Sequence, residues 1–81
     1  RIAMKLFGYT QPSDCGIDAV RLSECIVELS PEELKQLAGF FAYCSVEMLR
    51  MGDAYDHIHF RDWLEVHDES VPELIVVRER A

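Results

Sequence analysis

Long apolar runs are missing from this 81-residue chain. None approaches the ~18 consecutive apolar residues of a membrane-spanning helix. The first residues also lack the basic start, apolar stretch and small-residue cleavage site of a secretory leader. Arg1, Ile2 and Ala3 precede Met4 and read as a remnant ahead of the natural start. Bases are scarce: eight Lys and Arg stand against fifteen Asp and Glu, for a net charge of −7 at pH 7. Recognition of nucleic acid through its phosphates needs a basic surface, so direct DNA or RNA binding is not expected. Gly and Pro are few, at four and three, while 49% of residues are hydrophobic and 28% charged. That balance excludes a disordered tail, a collagen-like repeat and a low-complexity linker. One domain over residues 4–81 is expected. A chain of this size buries roughly 60% of its unfolded surface, which leaves a thin core. Such a core supports a sheet and a helix but does not easily wall off a deep substrate cavity. Oligomerisation or a bound partner would help it.

Cysteine is also sparse. Cys15, Cys25 and Cys44 are odd in number and widely spaced, with no C-x-x-C pair. This disfavours a disulfide framework and a zinc or redox motif, and suits a reducing cytoplasm. Cys25 falls in an apolar strand pattern and Cys44 in an apolar helix pattern, so both are expected in the core. Cys15, in the turn-like Ser13-Asp14-Cys15-Gly16, is a candidate exposed thiol with no adjacent base to activate it.

What is present is a clear order of elements. Residues 4–10 read as a strand with Met4 and Leu6 on one side and Phe7 and Tyr9 on the other. Residues 11–18 hold Pro12, Ser13, Asp14 and Gly16 and read as a turn-rich loop. Residues 21–29 read as a second strand, antiparallel to the first. Cys25, Val27 and Leu29 share one of its faces; Leu22, Glu24, Ile26 and Glu28 share the other. Ser30-Pro31-Glu32-Glu33 is a helix start. Ser30 suits the N-cap, Pro31 loses no amide bond at the first position, and Glu33 completes a capping box. The helix is expected to run to about Met51 and stop at Gly52. Leu34, Leu37, Phe41, Cys44, Met48 and Met51 form its apolar stripe, widened by Ala38, Phe40 and Leu49. Gly39 inside it implies close packing against another backbone. Residues 57–63 alternate at first and read as a third strand, with a short helix as the alternative. Residues 64–73 read as a loop and 74–78 as a buried final strand.

The expected fold is therefore α+β. A small antiparallel sheet of about four strands carries one long helix on one face, in the order β-β-α-β-β. The opposite face would present Phe7, Tyr9, Leu22, Ile26 and Trp63 among Lys5, Glu24 and Glu28. That is either a half-wet amphipathic surface or an interface for a second copy or a partner.

Two features carry chemistry. On a strand, His57 and His59 point to the same side and could grip one metal ion, with Asp53, Asp56, Asp62 or His67 as further ligands. The ordinary alternative is two surface histidines, and the spacing of a third ligand is missing. No metal and no cofactor are expected. The second feature is charge. Residues 53–73 hold seven acids (Asp53, Asp56, Asp62, Glu65, Asp68, Glu69, Glu73) and one base, Arg61. Such a stretch is either a solvated loop that aids solubility or a docking surface for a basic partner. Nucleophile-and-base catalysis has little support. The serines lack a nucleophile elbow, and there is neither a P-loop nor a G-x-G-x-x-G.

Met4-Lys5-Leu6-Phe7-Gly8-Tyr9, Leu29-Ser30-Pro31-Glu32-Glu33-Leu34, Leu37-Ala38-Gly39-Phe40, Met48, Gly52, His57-x-His59-Phe60-x-Asp62 and Pro72-Glu73-Leu74-Ile75-Val76 occur here in one order and spacing. Together they resemble the small immunity proteins of bacterial polymorphic toxin systems, in particular the family called immunity protein thirty-two. The resemblance covers nearly the whole chain from Met4. It implies a non-enzymatic cytoplasmic protein that binds and neutralises a cognate toxin, and it supplies no catalytic residues. Many such toxins act on nucleic acid through basic clefts, so a basic nuclease is one candidate partner. The candidate contact residues are Asp53, Asp56, His57, His59, Asp62, Trp63 and Glu65. Two alternatives remain: a homodimeric structural or regulatory module, and a metal-binding protein using His57 and His59.

Overall fold

The computed structural model describes residues 4–10 and 20–79. Its elements are β1 (Lys5–Thr10), β2 (Leu22–Glu28), α1 (Pro31–Met51), a 3-10 turn (Gly52–Ala54), β3 (His57–His59), α2 (Phe60–Leu64) and β4 (Ile75–Val77). The loop over 11–18 and Cys15 lie outside the described residues. The class is α+β with one long helix, as expected. The single four-stranded sheet does not form. β1 pairs with β2 and β3 with β4, each antiparallel, in two separate two-stranded sheets.

Residues 57–63, expected as one strand, also differ. They divide after His59, and the second half coils into α2. Phe60, Trp63 and Leu64 stand at i, i+3 and i+4, so one helical turn brings all three to one side. A continuous strand would send Phe60 and Trp63 to opposite faces. In α2 both rings reach Phe40, with centroids 5.0 Å and 5.7 Å away. Trp63 is therefore half-buried against α1 and is not part of a sheet face.

α1 begins as its residues dictate. The Glu33 amide donates to Ser30 Oγ at 3.2 Å, and the Ser30 amide donates to Glu33 Oε1 at 2.7 Å. Gly52 ends the helix at φ +57°, a conformation that favours glycine, and its amide donates to the Met48 carbonyl. The buried stripe is Glu33, Leu37, Phe40 and Cys44. Leu37, Phe40 and Cys44 are inside as expected, but Glu33 takes the place of Leu34, and Leu34, Phe41 and Met51 are exposed. The capping box folds Glu33 beneath the first turn, and the next residues on that side are Leu37, Phe40 and Cys44. The close neighbour of Gly39 is also not a backbone. A Cβ there would sit 3.3 Å from the Trp63 ring.

The β1–β2 hairpin pairs Lys5 with Glu28, Phe7 with Ile26 and Tyr9 with Glu24, then shifts so that Thr10 faces Leu22. Ser23 is the extra residue of this bulge, and its hydroxyl donates to the Tyr9 carbonyl at 3.1 Å. The bulge moves Leu22 off the Phe7 face and onto Gly8, where a Cβ would lie 2.7 Å from the Leu22 side chain. Met4 and Leu6 enter the core, as expected, while Phe7 and Tyr9 face solvent. Cys25, expected inside, is exposed, because the hairpin runs past the edge of the core beyond Leu6. Cys44 is buried. β4 is not the buried strand expected. Only Val76 turns to the core, while Ile75 and Val77 are exposed.

The capping box makes a direct prediction. Ser30→Ala should lower unfolding stability by about 1 kcal/mol in a urea titration, with an unchanged circular dichroism spectrum in water.

Candidate partner-binding surface

The stretch from the 3-10 turn to β4 is held from inside by three side chains. Tyr55 is buried, and its hydroxyl donates to the Val76 carbonyl at 2.8 Å. Burial, reinforced by contact with the Cys44 thiol, pushes the phenol up to about 12. Burial also pushes the Cys44 thiol up, partly offset by that same contact. Both groups therefore stay neutral and structural at neutral pH. Arg61 turns its guanidinium to the loop that follows, with Nε donating to the Val71 carbonyl at 2.7 Å. Glu73 lies opposite. Its Oε1 accepts from the amides of Arg61 at 3.2 Å and Leu74 at 3.1 Å, and its Oε2 meets His59 Nδ1 at 3.1 Å. Arg61 and Glu73 thus bind the two ends of the loop across the β3–β4 hairpin. A local Asp68 turn shapes the tip, with the Ser70 amide donating to the Asp68 carboxylate.

These anchors decide which charges face outward. Asp53, Asp56, Asp62, Glu65, Asp68 and Glu69 are all exposed, whereas Glu73 is half-buried. Arg61, the sole base of the stretch, spends its guanidinium on backbone carbonyls. Six acids thus face outward, while Arg61 and Glu73 are both part-buried. Glu65 ends α2 in the left-handed conformation at φ +60°, with its amide donating to the Arg61 and Asp62 carbonyls. An acidic residue holds this exposed corner where Gly or Asn would be less strained.

Of the candidate contact residues, Asp53, Asp56, His57, Asp62 and Glu65 are exposed, and His59 is partly covered. Trp63 belongs to the aromatic cluster around Phe40, so it supports the surface more than it presents to a partner. His57 and His59 do share a side of β3, with ring centroids 4.9 Å apart and planes at 72°. Each is paired with a carboxylate, His57 with Asp56 and His59 with Glu73. Among the described residues no three His, Cys, Asp or Glu side chains are grouped to hold a metal ion. Beside His57 lies an open cleft of about 290 Å³, lined by Tyr55, Asp56, His57, Val77, Arg78 and Glu79. Arg78 reaches from its edge to donate to the Met48 carbonyl near the end of α1.

The anchoring roles of Tyr55, Arg61 and Glu73 were not among the sequence candidates. Arg61 carried a signal, as the lone base among seven acids. Glu73 read only as one more acid of a loop. No family model, no curated protein and no solved structure matches this chain.

Burial alone would raise the Glu73 carboxyl, but the bonds from Arg61, His59 and Leu74 outweigh it and hold it below its ordinary value. A depressed carboxyl contributes stability above its unfolded-state value and loses it as the pH falls through the folded value. Stability should therefore drop with acid below the usual carboxylate range. Glu73→Ala should flatten that drop and cost roughly 1–3 kcal/mol at pH 7, because two half-buried amides lose their acceptor. Urea melts from pH 7 to pH 3 check both.

Proposed function

We propose that this chain is an immunity protein, which binds a cognate bacterial toxin stoichiometrically and blocks it through the acidic surface over residues 53–69. One observation carries the reading. Six exposed acids stand on a segment whose only Lys or Arg, Arg61, is bonded to backbone carbonyls of the same loop. A one-sided field of this kind steers a basic surface to it and fixes its orientation. A basic nuclease cleft suits it, the carboxylates taking the place of phosphates. The order of motifs from Met4 to Val76 supports the same reading. The protein acts by contact, not by chemistry, in a bacterial cytoplasm.

A second reading rests on a different surface. Phe7, Tyr9 and Ile26, on one face of the hairpin, are all large and exposed. They favour a homodimeric module in which a second copy covers them.

The test uses the product of the adjacent gene as the candidate toxin. Mixed with the chain, it should give a 1:1 complex by sedimentation and lose its toxicity on co-expression. Asp62→Lys combined with Glu65→Lys should weaken the complex ten-fold or more and reduce its salt dependence. Unchanged affinity would sink the acidic-surface reading, and a salt-insensitive dimer of the chain alone would favour the second.

A further inference from the structure

The charge of residues 53–73 does not account for the histidine pair at its centre. We propose that His57 and His59 together form a binding site for a divalent transition-metal ion of the zinc class. The two Nε2 atoms are the protein ligands, and water completes the shell.

Three features of β3 lead there. The first is placement. Residues two apart on a strand share a side, and these two imidazoles are at the partly open surface of a two-stranded sheet, with side chains 44% and 33% exposed. The second is orientation. In both rings the Nδ1 atom is already engaged by a carboxylate, Asp56 for His57 and Glu73 for His59. Metal-ligating histidines are commonly held in this way, since a carboxylate on one nitrogen fixes the tautomer and leaves the lone pair of the other to the ion. Neither Nε2 has a hydrogen-bond partner among the described residues. Glu73 is itself fixed by the Arg61 and Leu74 amides, so His59 is oriented by a rigid support.

The third feature is spacing. An ion about 2.0–2.1 Å from a ring nitrogen lies roughly 3.2 Å from that ring's centroid. Two rings each about 3.2 Å from a shared ion can bridge it at this 4.9 Å centroid separation once both Nε2 atoms turn to it. Two nitrogen donors suit zinc, nickel and copper and do not suit magnesium or calcium, which take oxygen. The missing third protein ligand sets the character of the site. It is an open site with exchangeable positions, not a closed structural one. The site shares Asp56, His57 and His59 with the proposed toxin-binding surface, but its test needs no toxin.

The experiment is calorimetric titration of the untagged, chelator-treated chain with zinc chloride. One ion per chain should bind, with no matching response to magnesium. His57→Ala and His59→Ala should each weaken zinc binding ten-fold or more, and Asp56→Asn should weaken it several-fold. His67→Ala, on the exposed loop after α2, should leave it unchanged. Cobalt titration of the wild-type chain gives a readout without any substitution: His57 and His59 ring protons should shift together and before those of His67. Absence of saturable zinc binding, zinc affinity unaltered by both alanine variants, or cobalt shifts centred on His67 would each overturn the assignment.

Discussion

The ring of Phe40 is the point on which the rest of this structure depends. It has no solvent exposure, and it faces Phe60 and Trp63 of α2 while α1 carries it. Met4, Leu37, Cys44 and Phe60 complete the buried cluster, with Leu6, Leu29, Ile58 and Val76 packed around it. Every element except the 3-10 turn contributes a residue to this cluster or its border, or leads directly into it. A core so small has no redundancy. Aromatic contacts of this size carry a large share of its apolar burial. The requirement that Phe60 and Trp63 both reach one ring also explains why the chain coils after His59.

The same packing sets the electrostatics of the acidic stretch. With Phe60 inward at the start of α2, Arg61 falls next to the following loop and satisfies its carbonyls. Glu73 then receives the amide of Arg61 and the ring of His59. One positive and one negative group are thereby spent inside, and the acids that remain face water. Their mutual repulsion costs stability, as does the left-handed backbone at Glu65. A protein that needed only solubility would gain little from concentrating these charges on one tethered segment. The proposed docking of a cationic partner rests on this arrangement.

The hairpin shows the opposite economy. Beyond Leu6 its side chains leave the core, and the bulge at Ser23 turns Leu22 over Gly8 in place of the Phe7 face. Phe7, Tyr9 and Ile26 stay in solvent. The cross-strand pair of Lys5 and Glu28, 3.8 Å apart and well exposed, adds little to stability. The hairpin is stabilised chiefly by its own backbone ladder and its root at Met4.

The sequence by itself determined the elements whose causes are local. The start of α1 was legible in Ser30, Pro31 and Glu33, its end in Gly52, and the inward side of β1 in Met4 and Leu6. Each of these follows from hydrogen bonds or alternation within a few residues. The inward burial of Cys44 and the acidic excess over 53–73 were legible for the same reason. The tertiary structure alone decided what depends on distant partners. It chose Phe40 over Phe41 as the centre and split residues 57–63 between strand and helix. It left Cys25 exposed, and it divided the expected sheet in two. It also bonded Arg61 to the carbonyls of the following loop and oriented His59 with Glu73. Periodicity states which residues could share a face, but only packing against chain far away in sequence decides which face is covered.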